Sequence, residues 1–216
     1  MAERTIHDGL VNRRSVRDFQ DKAVPEEVLR EIVRDAQWTP SWANAQPWKV
    51  YIATGAAAKD IRNAYTEGRG GRYDLEIPSL RGESWGYPER VNMSTWGRQL
   101  QQFLSPEGYK FSTSQQNLFG APTIAVLTVH ANAPLWELFD LGAFEQSLLL
   151  SAYNHGVDSI AAAAFVSYPD YLRKVLGIPK DEMIVMGVGL GYRSDDTINR
   201  FKSERINLDD MLVIRS

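Results

Sequence analysis

The segment at 134–155 constrains this chain more than any other. It is apolar on most sides between Leu138 and Tyr153. A surface helix carries one apolar stripe, whereas a helix apolar all round has to be covered on most sides. The segment therefore predicts a long, central, buried helix, with Gly156 closing it. Glu137, Asp140, Glu145 and Gln146 interrupt the run, so it does not read as a membrane span. The other elements must be laid around it, and 216 residues suit one well-buried domain spanning 1–216.

Several further elements follow from periodicity and punctuation. A short amphipathic helix is expected at 6–11. A stronger one is expected at 25–37, with Pro25 in the first helical position and Glu26 and Glu27 at the positive end. Val28, Leu29, Ile32, Val33 and Ala36 fall on one face of it. Strands are expected at 48–53, 123–129, 158–165 and 182–192, and helices at 56–67, 94–104, 111–119 and 168–176. Residues 68–92 read as a loop-rich insertion with five glycines. A last strand-like run, 211–214, follows a polar arm. It pairs either with its own sheet or with that of a second subunit.

Composition removes whole classes of chemistry. The chain has no cysteine, which excludes disulfides, thiolate metal sites, iron–sulfur clusters and a cysteine nucleophile. His7, His130 and His155 are not in a metal-ligand spacing. There is no serine-hydrolase elbow and no Walker motif. Gly187, Gly189 and Gly191 lack the following helix of a dinucleotide-binding turn, so they read as points of close backbone packing. A net charge of −3 argues against a nucleic-acid or membrane surface. The N-terminus has no apolar signal region, and a cytoplasmic protein is expected.

Two motifs remain. Asn-Arg-Arg-Ser-Val-Arg-Asp-Phe at 12–19 packs Arg13, Arg14 and Arg17 around Ser15. Guanidinium forks match phosphate oxygens, so the cluster is either an anion site or a solvated basic patch. Pro-Ser-Trp-Ala-Asn-Ala-Gln-Pro-Trp at 40–48 is an irregular segment bounded by prolines. Together, in this order, they resemble the nitroreductase family of flavin enzymes. Phe119-Gly-Ala-Pro122, the run from Asp140 to Gly156, and Gly189-Leu-Gly-Tyr192 before a basic tail extend the resemblance from about residue 6 to about residue 212.

The resemblance implies an α+β nitroreductase-like fold: a central mixed β-sheet flanked by helices, with the C-terminal arm exchanged with a second subunit. It implies bound FMN in a site built across a homodimer interface. Arg13, Arg14 and Ser15 would hold the phosphate and ribityl chain, and Arg17 would approach the N1/C2 carbonyl edge of the flavin. Lys202 or Ser203, with Arg205, would close on the phosphate. Pro40, Ser41, Trp42 and Asn44 would reach FMN from the opposite subunit. Backbone N–H groups of Ala163 and Ala164 would face flavin N5. Ser114 and Asn117 are both open as the contact to the pyrimidine ring.

The implied activity is a ping-pong oxidoreductase with no catalytic side chain in the strict sense. NADH or NADPH would deliver a hydride to N5, and a nitroaromatic or quinone-like small molecule would take the electrons. A related ene-reductase or reductive dehalogenase, or a flavin binder without turnover, is the alternative.

Overall fold

The computed structural model describes residues 5–77 and 85–215. Its helices are α1 (Ile6–Asn12), α2 (Glu26–Ala36), α3 (Gly55–Thr66), α4 (Tyr87–Leu104), α5 (Tyr109–Gln116), α6 (Leu135–Asn154) and α7 (Pro169–Leu176). Four strands, β1 (Lys49–Ala53), β2 (Thr123–His130), β3 (Asp158–Ala161) and β4 (Glu182–Gly191), form one sheet in the order β1-β2-β4-β3. All of these pairings are antiparallel. The parallel component of the expected mixed sheet is an isolated bridge between Ser15 and Ser159.

The sheet separates two cores. One face carries Ile124, Val126, Ile160, Phe165 and Leu172 under α3 and α7. The other carries Leu127, Val188 and Leu190 against Leu141, Phe144 and Leu148 of α6, with Leu29 and Ile32 of α2. Trp48 stacks on Phe144 at 4.8 Å and ties the start of β1 to α6. A smaller cluster, Leu100, Leu104, Ile198 and Phe201, holds α4 against the start of the C-terminal arm.

Gly187, Gly189 and Gly191 alternate along β4 and so share one face. A Cβ on Gly187 would strike Phe165 and Val166. One on Gly189 would sit 2.6 Å from Phe165 Cζ, and one on Gly191 2.7 Å from Pro122 and 2.9 Å from Phe19. Close packing is therefore what these glycines provide, as their spacing predicted.

Four expectations are corrected. Pro25 is the N-cap of α2, not its first helical residue. β3 ends at Ala161, and Ala163–Val166 is a 3-10 helix, because Phe165 turns inward to lie across Gly187 and Gly189. α4 begins at Tyr87, within the stretch read as loop, with Pro88 in its first turn. The run 211–214 forms no strand; its side chains are exposed, and among the described residues it pairs with no strand. The part of the 68–92 insertion at 78–84 lies outside the described residues. The central helix α6 is covered along one side only, leaving Leu135, Trp136 and Phe139 exposed at its start. Among the described residues, no helix is long and apolar enough to cross a membrane.

A charged cluster pins the far end of the sheet. The carboxylate of Glu182, 5% exposed, accepts from Lys49 Nζ, from Thr128 Oγ1 at 2.6 Å and from Tyr51 OH at 3.0 Å. Burial pushes this acid up, but those hydrogen bonds outweigh it and hold it below the ordinary carboxylate range. A depressed folded-state pKa stabilises the fold above the unfolded value, and that contribution is lost as pH falls through the folded value. Glu182→Gln is expected to cost about 1–3 kcal/mol at pH 7. In urea melts, the gap to wild type should narrow below about pH 4.

Candidate functional site

The basic cluster is built on backbone. α1 stops at Asn12, and Arg13 is its C-cap, in extended conformation. The chain then runs alongside β3: Val16 N donates to Ser159 O at 3.1 Å, and Phe19 N to Phe119 O at 3.1 Å. Val16 and Phe19 point into the core, so Arg13, Arg14, Ser15 and Arg17 are left half-buried at the surface.

Asn199 completes this anchoring. It is 8% exposed, and its Oδ1 accepts from Arg17 N at 2.8 Å and Asp18 N at 3.2 Å. Its Nδ2 donates to Asp18 O at 2.7 Å and Ser194 O at 3.2 Å. A side-chain amide thus pairs with the Arg17–Asp18 backbone as a strand would. Sequence reasoning missed Asn199, because an asparagine in a polar tail carries no local signal of a buried role.

The arginines are individually constrained. Arg14 Nη1 donates to Val11 O and Arg13 O, both at 2.8 Å. Arg17 Nη1 donates to Ser15 O at 3.1 Å, and its guanidinium lies 5.7 Å from the centre of the Trp96 ring on α4. Burial lowers the Arg17 pKa. Among the described groups, the Ser15 hydroxyl has no hydrogen-bond partner.

The C-terminal arm brings further cations to the same place. Arg13 is depressed first by burial, then by the charges of Arg205 and Arg14, with Glu145 of α6 opposing them. Burial pushes Glu145 up while Arg13 pulls it back. Arg205 is fixed by its own arm, donating to Ser203 Oγ at 2.9 Å and to Glu204 O at 3.0 Å. Lys202 lines a cleft of about 400 Å³ together with Arg14, Asn199 and Arg200. Like charges held together at a half-buried site repel one another, and an anion bound among them relieves that repulsion.

Ala163 and Ala164 open the 3-10 helix beyond β3. Among the described groups, neither backbone N–H has a hydrogen-bond acceptor. The first N–H groups of any helix lack internal partners. Here the turn around them is held firmly. Ala162 N donates to Gly187 O at 3.0 Å, and Tyr65 OH to Phe165 O at 2.6 Å. Burial also pushes the Tyr65 phenol up, keeping it a donor.

The 40–46 segment is held on α6 instead. Trp42 N donates to the buried carboxylate of Asp140 at 2.9 Å. Asn44 N donates to Ser41 O at 3.0 Å and Gln46 N to Ser41 Oγ at 2.9 Å. Pro40, Trp42 and Asn44 are exposed and Ser41 is half-buried. Among the described residues, no hydrogen bond joins this segment to the arginine cluster of the same chain. Of the two residues left open, Ser114 donates back to Phe111 O at 3.0 Å, while Asn117 is exposed at the end of α5.

Comparison with known proteins follows from this geometry. A family model described as "Nitroreductase family" matches residues 10–192. A 4-nitrobenzoate reductase of Nocardioides sp. is 34% identical over 190 residues, covering 83% of this chain and 77% of that protein. A chloronitrobenzene nitroreductase of Comamonas testosteroni is 26% identical, covering 95% and 94%. The crystal structure of the FMN-dependent nitroreductase NfnB from Mycobacterium smegmatis in complex with NADPH superimposes with a TM-score of 0.89 at 26% identity, covering 97% of each chain.

Asn199→Ala removes the side chain that pairs with Arg17 and Asp18. It is expected to cost about 1–3 kcal/mol of stability. Hydrogen exchange should show the Arg17 and Asp18 amides losing protection ahead of those in β2 and β4.

Proposed function

The chain belongs to the nitroreductase family, and from that premise we propose that it is a single-domain, FMN-dependent oxidoreductase. It takes electrons from NADPH or NADH and delivers them to nitroaromatic or quinone-like acceptors. The observation that carries this reading is the half-buried grouping of Arg13, Arg14 and Ser15, with Arg205 of the C-terminal arm near enough for its charge to bear on Arg13.

The residues present fit FMN. Arg13, Arg14 and Arg205, with Lys202 beside them, offer a phosphate several forked or point cations, and Ser15 offers an unpaired hydroxyl. The free N–H groups of Ala163 and Ala164 supply donors on a rigid turn. Arg17 holds a cation where burial and the Trp96 face keep it from relaxing into solvent. When bound, FMN supplies the electron transfer between nicotinamide and acceptor. The chain's part is to hold the phosphate, fix a positive charge near the ring edge and limit water. With one pocket serving donor and acceptor in turn, the kinetics are ping-pong.

The same reading makes the active unit a homodimer. Pro40, Ser41, Trp42 and Asn44 are separated from the arginines of their own chain and serve the site of a second copy. The arm beyond Arg205 reaches that copy. Two features support this: Met211, Leu212, Val213 and Ile214 are all exposed, and among the described residues β1 has a strand partner on one side only. Beside β1, a groove of about 760 Å³ is lined by Val24, Leu29, Val33, Val50 and Ile52. An apolar strand entering there covers both surfaces. A cytoplasmic location is part of the reading, resting on the cysteine-free sequence.

Arg17→Ala is expected to weaken FMN retention or slow flavin reduction by NADPH by at least about tenfold, the loss of roughly 1.4 kcal/mol. Fluorescence titration of FMN and stopped-flow absorbance measure the two. Wild-type values for both would remove Arg17 from the site. Sedimentation equilibrium is expected to return a dimer. A monomer that keeps its FMN would contradict the assignment of 40–44.

A further inference from the structure

Three exposed aromatic side chains meet where the 40–46 segment joins α6. Trp42, Trp136 and Phe139 are 65%, 58% and 70% exposed. They nevertheless touch one another. The Trp42 and Trp136 rings lie 5.3 Å apart, tilted by 31°, and Trp136 meets Phe139 edge-on at 6.0 Å. Trp136 and Phe139 are three residues apart on α6 and so share a face. Trp42 is brought to them by its N–H bond to Asp140, a carboxylate that is 5% exposed.

The segment that presents Trp42 is strained. Ala43, Asn44 and Gln46 have φ of 47°, 60° and 48°. Left-handed backbone at non-glycine residues costs about 1–3 kcal/mol each and persists only where surrounding bonds over-determine it. Ser41 supplies that restraint through its carbonyl and its hydroxyl. The outcome is a large indole held rigidly in the open.

We propose that Trp42, Trp136 and Phe139 form the ring-binding wall for the electron acceptor, taking a flat, electron-poor aromatic ring against the indole faces. The inference rests on the functional reading above, in which the 40–44 segment reaches FMN. The indole face is electron-rich, and a nitro-substituted ring is its complement. The relatives bear on the size of the occupant, since they are named for the single-ring compounds 4-nitrobenzoate and chloronitrobenzene. Because the two indoles are already packed together, a ring docks on them without ordering loose side chains.

The test uses oxidised, FMN-loaded protein titrated calorimetrically with nitrobenzene. Trp136→Ala is expected to raise Kd about five- to tenfold and Phe139→Ala about threefold, while Trp136→Phe keeps most of the affinity. In turnover, the ratio of kcat/KM for nitrobenzene to that for ferricyanide, an acceptor that needs no stacking, should fall by a similar factor. An unchanged Kd in Trp136→Ala and Phe139→Ala overturns the wall, as does a parallel fall for both acceptors. If those variants become monomers, the patch is a subunit contact and the proposal fails. A wild-type protein that binds no FMN, or whose flavin NADPH does not reduce, refutes the functional reading and the wall with it. A normally reduced flavin with unaltered nitrobenzene binding refutes the wall alone.

Discussion

Both halves of the candidate site are seated on one constraint: the missing side chains along one face of β4. Gly187 and Gly189 let the Phe165 ring lie against the strand. Seating Phe165 ends β3, starts the 3-10 turn and leaves the Ala163 and Ala164 N–H groups without an acceptor among the described residues. Gly191 admits Pro122 and Phe19 in the same way. Seating Phe19 fixes the segment that carries Arg17, which Asn199 also clamps through the Arg17 and Asp18 N–H groups. Adding a methyl group at any of these glycines would push apart groups that meet at van der Waals distance, and interiors pack too tightly to absorb that without cost.

The second element is electrostatic. The fold holds the half-buried Arg13 under the repulsion of Arg14 and Arg205, and Glu145 opposes it, while Asp195 and Asp196 line the cleft beside Arg14 and Lys202. Such an arrangement gains most from a bound anion, since a ligand that binds only the folded state adds its binding free energy to stability. The arginine cluster and the Ala163 and Ala164 N–H groups, which have no acceptor among the described residues, are thus two separate sets of donors.

Much of this was legible in the residues. The apolar run at 134–155 announced α6, and the spacing of Leu29, Ile32 and Ala36 announced α2. The alternation of three glycines predicted close packing on β4. Other features had no local signal. The run 158–165 reads as uninterrupted strand, but the inward turn of Phe165 ends it at Ala161. Asn199 acts across the whole length of the chain. The start of α6 lies in a run that reads as a buried helix and 211–214 reads as a strand, but among the described residues the apolar side chains at both places are exposed. The strain at Ala43, Asn44 and Gln46 was equally silent, since none of those residue types announces a positive φ the way glycine does.

The most direct measurement is the visible absorption spectrum of the purified protein before and after anaerobic addition of NADPH or NADH. The account predicts a flavin band, either present on purification or restored by added FMN, that bleaches with at least one nicotinamide. No band after adding FMN, or a band that neither nicotinamide bleaches, would contradict it.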